Sequence, residues 1–399
     1  MLRSRLLKPA LGIALMLGAV GCASLERLPA VTLAQAPKAN ILNISDVRFY
    51  TTDVSRMTAI AVAAYQRRSK IQKTSAPQNF LAISGGGDDG AFGAGVLVGW
   101  SARGDRPVFG VVTGVSTGAL SAPFAFLGSA YDEHLKQVYT DSNAEDIFTQ
   151  RTVLAAVTND AMADSAPLRR MIARYVDDTV VQRIAEEYNK GRLLFILTTN
   201  LDQGRPVIWN LGAIAASGHP GSRQLMIDVL LASASIPAVF PPVMVDVTIG
   251  GQHYQEMHVD GGAVAQAFLY PPSFSLSQAT ASLGINAAQF RAQRKRTAYV
   301  IRNGRLTRPE EKIDRETLAI AKQAIATMTT SSGVNDTYRI YLTTKRDGVN
   351  FNLASIGDDF TVPYKGPFDK GYMRALYEYG YEKGRAGYPW QKAPPGYAR

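Results

Sequence analysis

The sequence predicts an α/β protein with a mostly parallel central sheet covered on both faces by helices. Short apolar, β-branched runs recur from residue 80 onward and alternate with stretches of helix-forming composition. Such runs suit strands buried on both faces, as in a parallel sheet. Three turns follow apolar runs directly: Gly85-Gly86-Gly87-Asp88-Asp89-Gly90, Gly114-Val115-Ser116-Thr117-Gly118 and Asp260-Gly261-Gly262. An open parallel sheet gathers its ligand-binding loops beyond the C-terminal ends of its strands.

In chain order, residues 29–40 are rich in Ala, Pro and Gln and read as a linker. Thr52–Lys70 has helical composition with a basic end. Ser75-Ala76-Pro77 marks a domain boundary. Phe80–Ser84 is a strand, Ala91–Trp100 a tightly packed helix, and Val108–Thr113 a buried strand. Thr117–Leu127 is a helix leaving the serine turn. Residues 131–189 are mostly helical, with breaks near 141–143 and 165–167. Leu193–Thr199 and Pro206–Asn210 are strands, and Gln224–Ser233 is a helix. Gly250-Gly251 between two apolar runs signals a hairpin. Thr297–Arg302 is a late strand, Glu310–Met328 a long helix, Phe351–Ser355 a last strand and Asp369–Lys383 a terminal helix.

The N-terminus is a targeting segment. Arg3, Arg5 and Lys8 precede an apolar run, Ala10–Val20, that is too short to span a bilayer. Small residues then lead to Cys22, as in a bacterial lipobox, with Ala19 where Leu is usual. A lipidated Cys22 would anchor the chain, and Ala23 after it favours the outer membrane of a Gram-negative envelope. Cys22 is the single cysteine, so no intramolecular disulfide is available. The formal charge is +10, which can favour anionic lipid. The basic residues are dispersed apart from Arg291 to Arg296, read as a headgroup contact or a solvated helix end. Nucleic acid is a poor match for an exported chain. Four regions follow: a signal peptide (1–21), a lipidated tether with a helical segment (22–75), a catalytic core (76–270) and an extension packed on it (271–399).

The three turns carry chemistry. Gly-x-Ser-x-Gly between a strand and a helix has the form of a nucleophile elbow, exposing Ser116 between Gly114 and Gly118. Gly85, Gly86 and Gly87 can turn N–H groups toward an oxyanion, an effect worth about 3–4 kcal/mol per donor. Activation of Ser116 is open between two arrangements. Asp260 can act directly as base, or Asp228 or Asp246 can complete a triad through His258. His258 lies two residues before Asp260 and on the same strand face, where it can tune Asp260 or simply pack. Gly93 and Gly95 suit close helix packing.

The ordered set of these turns resembles the patatin-like phospholipase family. So does Ala232-Ser233-Ala234-Ser235-Ile236-Pro237-Ala238-Val239-Phe240-Pro241-Pro242, and the resemblance covers about 78–270. It implies a three-layer α/β/α fold, a Ser116–Asp260 dyad, an oxyanion hole at Gly85–Gly87, and hydrolysis of membrane lipids or lipid esters without metal or cofactor. The family often has Arg or Lys immediately before the glycine matching Gly90. Asp89 stands there, after Asp88, which leads to the expectation of a neutral or zwitterionic ester as substrate. Protein partners are not legible in the sequence.

Overall fold

The computed structural model describes residues 25–71, 76–151, 159–286, 288, 294–307, 310 and 312–397. The signal segment and Cys22 lie outside the described residues. Among those residues nine strands form one sheet. They are β1 (Arg48–Tyr50), β2 (Gln78–Ile83), β3 (Phe109–Val115), β6 (Leu193–Asn200), β7 (Arg205–Asn210), β8 (Val243–Ile249), β9 (Gln252–Asp260), β10 (Arg296–Arg305) and β11 (Asn350–Ile356). A separate two-stranded pair joins β4 (Thr149–Gln150) to β5 (Ala163–Asp164). The helices are α1 (Val54–Ser69), α2 (Gly90–Arg103), α3 (Thr117–Leu127), α4 (Asp132–Thr140), α5 (Ala144–Ile147) and α6 (Ala166–Tyr175). They continue as α7 (Asp178–Asn189), α8 (Leu211–Ala216), α9 (Ser222–Ala234), α10 (Leu276–Ala281), α11 (Thr317–Arg346) and α12 (Lys370–Gly387).

The main path of the sheet runs β1-β7-β6-β3-β2-β10-β11. The five strands from β6 to β11 are parallel, and β7 and β1 add antiparallel at one edge. Alternation along the strands divides the core into two apolar layers. Leu81, Ile83, Val112, Leu194 and Ile196 join α2, α3, α9 and α12 on one face. Phe80, Ala82, Val111, Leu193 and Phe195 join α1 and α10 on the other. The result is the expected three-layer α/β/α arrangement.

The chain fills β2, β3 and β6 in one direction and then returns to place β10 and β11 on the other side of β2. The glycine turn after β2 therefore sits at the switch point of the sheet, where a crevice opens. The region after 270 is thus more than an extension packed on the core, because it supplies two strands of the sheet. Its last helix also closes on α2 at backbone contact. A Cβ on Gly95 or Gly99 would collide with the Tyr377 or Tyr381 carbonyl, and one on Gly380 or Gly384 with that of Phe92 or Val96. Gly95 fulfils the packing role expected of it. Gly93 instead faces the Asn303 side chain.

Two expected elements differ. The long helix begins at Thr317, not Glu310, and continues to Arg346. Its second half contains Gly333 and several threonines, which weaken the helical signal. Thr330 and Thr343 satisfy their hydroxyls on the carbonyls of Ala326 and Arg339, four residues back. The stretch 29–40 is tied down and is not a free linker. Val31, Ala36 and Ile41 are buried, Asn40 bridges Thr248 on β8, and Gln255 N–H donates to the Pro29 carbonyl at 3.1 Å.

Candidate active site

The serine turn has the strained geometry that its glycines permit. β3 ends at Val115 and α3 begins at Thr117, leaving Ser116 at φ 55°, ψ −127°. A side-chain-bearing residue rarely adopts this conformation, which costs about 1–3 kcal/mol. Gly114 and Gly118 make it possible: a Cβ on the first would strike the Gly118 carbonyl, and one on the second the Ile83 carbonyl. The Ser116 N–H donates to Ser233 Oγ at 3.0 Å, and Ser233 Oγ donates to the Leu197 carbonyl at 2.7 Å. Ser233, from the segment similar to the family, thus braces the turn from α9.

β9 brings Asp260 to the serine from the opposite direction. β6 outruns β3, and β9 pairs antiparallel with the exposed end of β6. Gly250 and Gly251, at φ 57° and 84°, make the tight turn of the β8–β9 hairpin. Asp260 is 4% exposed. Its carboxylate accepts the Gly262 N–H at 2.7 Å, and the nearby Ser116 hydroxyl helps to stabilise its charged form. Burial pushes its pKa up to about 7, the two interactions opposing only part of the shift.

Gly85, Gly86 and Gly87 follow β2 beside Ser116, but they are not three equivalent donors. Gly85 N–H donates to the Gln266 carbonyl at 2.9 Å, so its role as an oxyanion donor is corrected. It is needed for space, since a Cβ there would press on Gln266 and on Ser116 Cβ. Among the described residues the N–H groups of Gly86 and Gly87 meet no acceptor. The turn is held by residues that motif reading missed. Asn303 on β10 donates from Nδ2 to the Ser84 carbonyl at 2.8 Å and accepts the Gly93 N–H at 3.1 Å. Buried Asp336 on α11 accepts the Gln266 and Ala267 N–H groups at 2.6 and 3.0 Å. No local sequence signal marks either residue, because both act from elements far along the chain.

His258 packs. It is fully buried and engaged at both ring nitrogens, Nδ1 at 2.9 Å from Thr198 Oγ1 and Nε2 at 3.2 Å from Glu256 Oε2. Trp209 Nε1–H donates to Thr198 Oγ1 at 2.8 Å. The Glu256 carboxylate accepts the proton on Nε2, so in the neutral ring Nδ1 accepts from the Thr198 hydroxyl. Burial lowers the His258 pKa and favours this neutral tautomer. Glu256 in turn pairs with buried Arg48. The triad alternatives lose their other members too: Asp228 pairs with Arg169, and Asp246 accepts from Gln255 at 2.9 Å.

Asp88 and Asp89 engage the C-terminal region. Asp88 accepts the Phe368 N–H at 3.0 Å, and Asp89 accepts the Tyr372 hydroxyl at 2.8 Å. Burial raises both pKa values, that of Asp89 to about 7. Asp88 ties the glycine turn to the segment before α12 and Asp89 ties it to α12 itself, while Asp88 also lines the cleft beside Ser116.

Ser116 opens onto a cleft with about 520 Å³ of empty space, part of it open to solvent. Its walls include Leu120, Ile147, Leu168, Met171, Phe240 and Met373, with Gly87 at the serine end. Among the described residues no group of His, Cys, Asp and Glu is placed to hold a metal ion.

Residues 81–270 match the family model described as patatin-like phospholipase. Among solved structures, VipD from Legionella pneumophila is similar over 77% of this chain, with 12% identity and a TM-score of 0.38. The match spans 66% of VipD. No curated protein matches.

Proposed function

We propose, from the match of residues 81–270 to the patatin-like phospholipase model, that the protein is a lipid acyl hydrolase cleaving fatty-acyl esters through Ser116 and Asp260. The observation that carries this reading is Ser116 in a strained turn at the end of an apolar cleft, with the buried carboxylate of Asp260 on the neighbouring rung of the sheet.

Asp260 takes the proton of Ser116 as Oγ attacks the ester carbonyl. The carbonyl oxygen becomes an oxyanion, received by the N–H groups of Gly86 and Gly87 at the positive end of the short helical turn they begin. The tetrahedral intermediate collapses, the leaving alcohol takes the proton from Asp260, and the acyl group stays on Ser116. Water then enters, Asp260 takes its proton, and the fatty acid leaves with Ser116 restored. A base whose pKa lies near 7 suits both directions of this transfer. Lipidation of Cys22 would hold the catalytic body at the outer membrane, beside its substrate.

The test is covalent labelling with a fluorophosphonate and turnover of phosphatidylcholine and lysophosphatidylcholine vesicles. An adduct mapped to Ser116, with both activities lost in Ser116→Ala, supports the proposal. Turnover that survives Ser116→Ala removes it.

A further inference from the structure

The underside of the sheet holds a second pocket, with about 720 Å³ of empty space that includes open solvent, at the N-terminal ends of the strands. Gly110 near the start of β3 lines it. Ser116 lies six residues further along, about 20 Å at ~3.3 Å per residue. The cavity also belongs to the face covered by α1 and α10, away from the catalytic cleft. Most of its wall is apolar, with Met57, Phe80, Leu193, Leu269, Phe274 and Leu283 among the lining side chains.

Three arginines share one part of that wall: Arg68 from the end of α1, and Arg294 and Arg296 at the start of β10. The sequence suggested a headgroup contact or a solvated helix end for the last two, yet they are 8% and 4% exposed. Among the described residues no carboxylate forms an ion pair with Arg68 or Arg294. Arg294 lies 5.5 Å from the Tyr65 ring and buries Nε without an acceptor. Burial, reinforced by neighbouring guanidinium charge, lowers both Arg68 and Arg296 to about 10. Like charges gathered in a half-dry pocket are costly unless an anion joins them.

We propose that this cavity binds a single-chain amphipathic anion, its oxyanion head on Arg68, Arg294 and Arg296 and its hydrocarbon chain along the apolar wall. A long-chain carboxylate and an alkyl phosphate share that chemistry. A free inorganic anion would satisfy the arginines and leave the apolar wall empty. An uncharged lipid would do the reverse.

Calorimetric titration of the full chain with oleate, dodecyl phosphate, dodecanol and inorganic phosphate tests the site. The expected result is one equivalent of oleate or dodecyl phosphate bound at least tenfold more tightly than dodecanol or phosphate. Arg294→Gln should weaken that binding at least tenfold. Arg68→Gln should do the same while raising the melting temperature of the ligand-free protein, because it relieves repulsion among the three cations. Ala61→Phe, which fills the cavity and leaves every arginine in place, should also abolish binding. Oleate binding that neither arginine variant nor Ala61→Phe alters would overturn the proposal. So would inorganic phosphate binding as tightly as dodecyl phosphate. Neither readout depends on turnover at Ser116.

Discussion

Asp260 stands on the β6 ladder at the rung Ser116 would occupy if β3 ran one residue further. Val115, the last residue of β3, pairs with Leu197, and Asp260 pairs antiparallel with Thr198, the next residue of β6. One strand leaves the sheet at the serine, and another arrives from the opposite direction at the carboxylate. Two rigid strands thereby hold the hydroxyl and its acceptor together without relying on a loop.

The glycines of the elbow set this geometry. Gly118→Ala should push α3 away from the Ile83 carbonyl and displace Ser116. The expected outcome is a loss of labelling of at least ~100-fold, with destabilisation of ~1–3 kcal/mol. Fluorophosphonate kinetics and thermal melting check both.

The dyad and triad readings separate at His258. His258→Ala strands the Glu256 and Thr198 groups that now satisfy its ring, at a cost of ~2–4 kcal/mol. Ser116 in the folded fraction should still label at close to the wild-type rate. Asp260→Asn should instead stay folded and lose ~10²–10⁴-fold in rate. The reverse pattern would make His258 the base.

Much of this site is legible in the sequence, and the reasons are local. Gly114, Ser116 and Gly118 must be adjacent to make an elbow, so the motif records the geometry. Asp260-Gly261-Gly262 behaves likewise, because the short turn after the strand needs its glycines. The spent N–H of Gly85 was not legible, since its acceptor, Gln266, is far away in sequence. Asn303 and Asp336 escaped for the same reason: each buttresses the turn from an element beyond the matched region. The packing of residues 29–40 was masked by a composition typical of linkers, although Val31, Ala36 and Ile41 supply enough apolar surface to dock it.

The union of α2 and α12 has no room for side chains at its crossing. Gly99→Val should force the backbones apart at Tyr381 and cost ~3 kcal/mol or more. Because α12 also carries Tyr372, the Asp89 contact should loosen and labelling of Ser116 should slow. Ala102→Ser, at an exposed position of the same helix, should change neither by much.

Asp89 makes stability pH-dependent. Its folded pKa, near 7, is above the unfolded carboxylate value near 4. Between those values the folded chain keeps a proton that the unfolded chain has released, so this group's contribution falls as pH rises and levels off above about 7. Asp89→Asn keeps an acceptor for Tyr372 and removes the penalty. Its melting temperature should match wild type near pH 4 and exceed it at pH 8, by an equivalent of up to ~4 kcal/mol.

The most direct measurement is the pH dependence of the Ser116 labelling rate. If buried Asp260 is the base, the rate rises with pH through a single step near 7 and then levels. That step is absent from Asp260→Asn and unmoved in His258→Ala. A step that persists at the same pH in Asp260→Asn would contradict the dyad, because some other group would then be taking the serine proton.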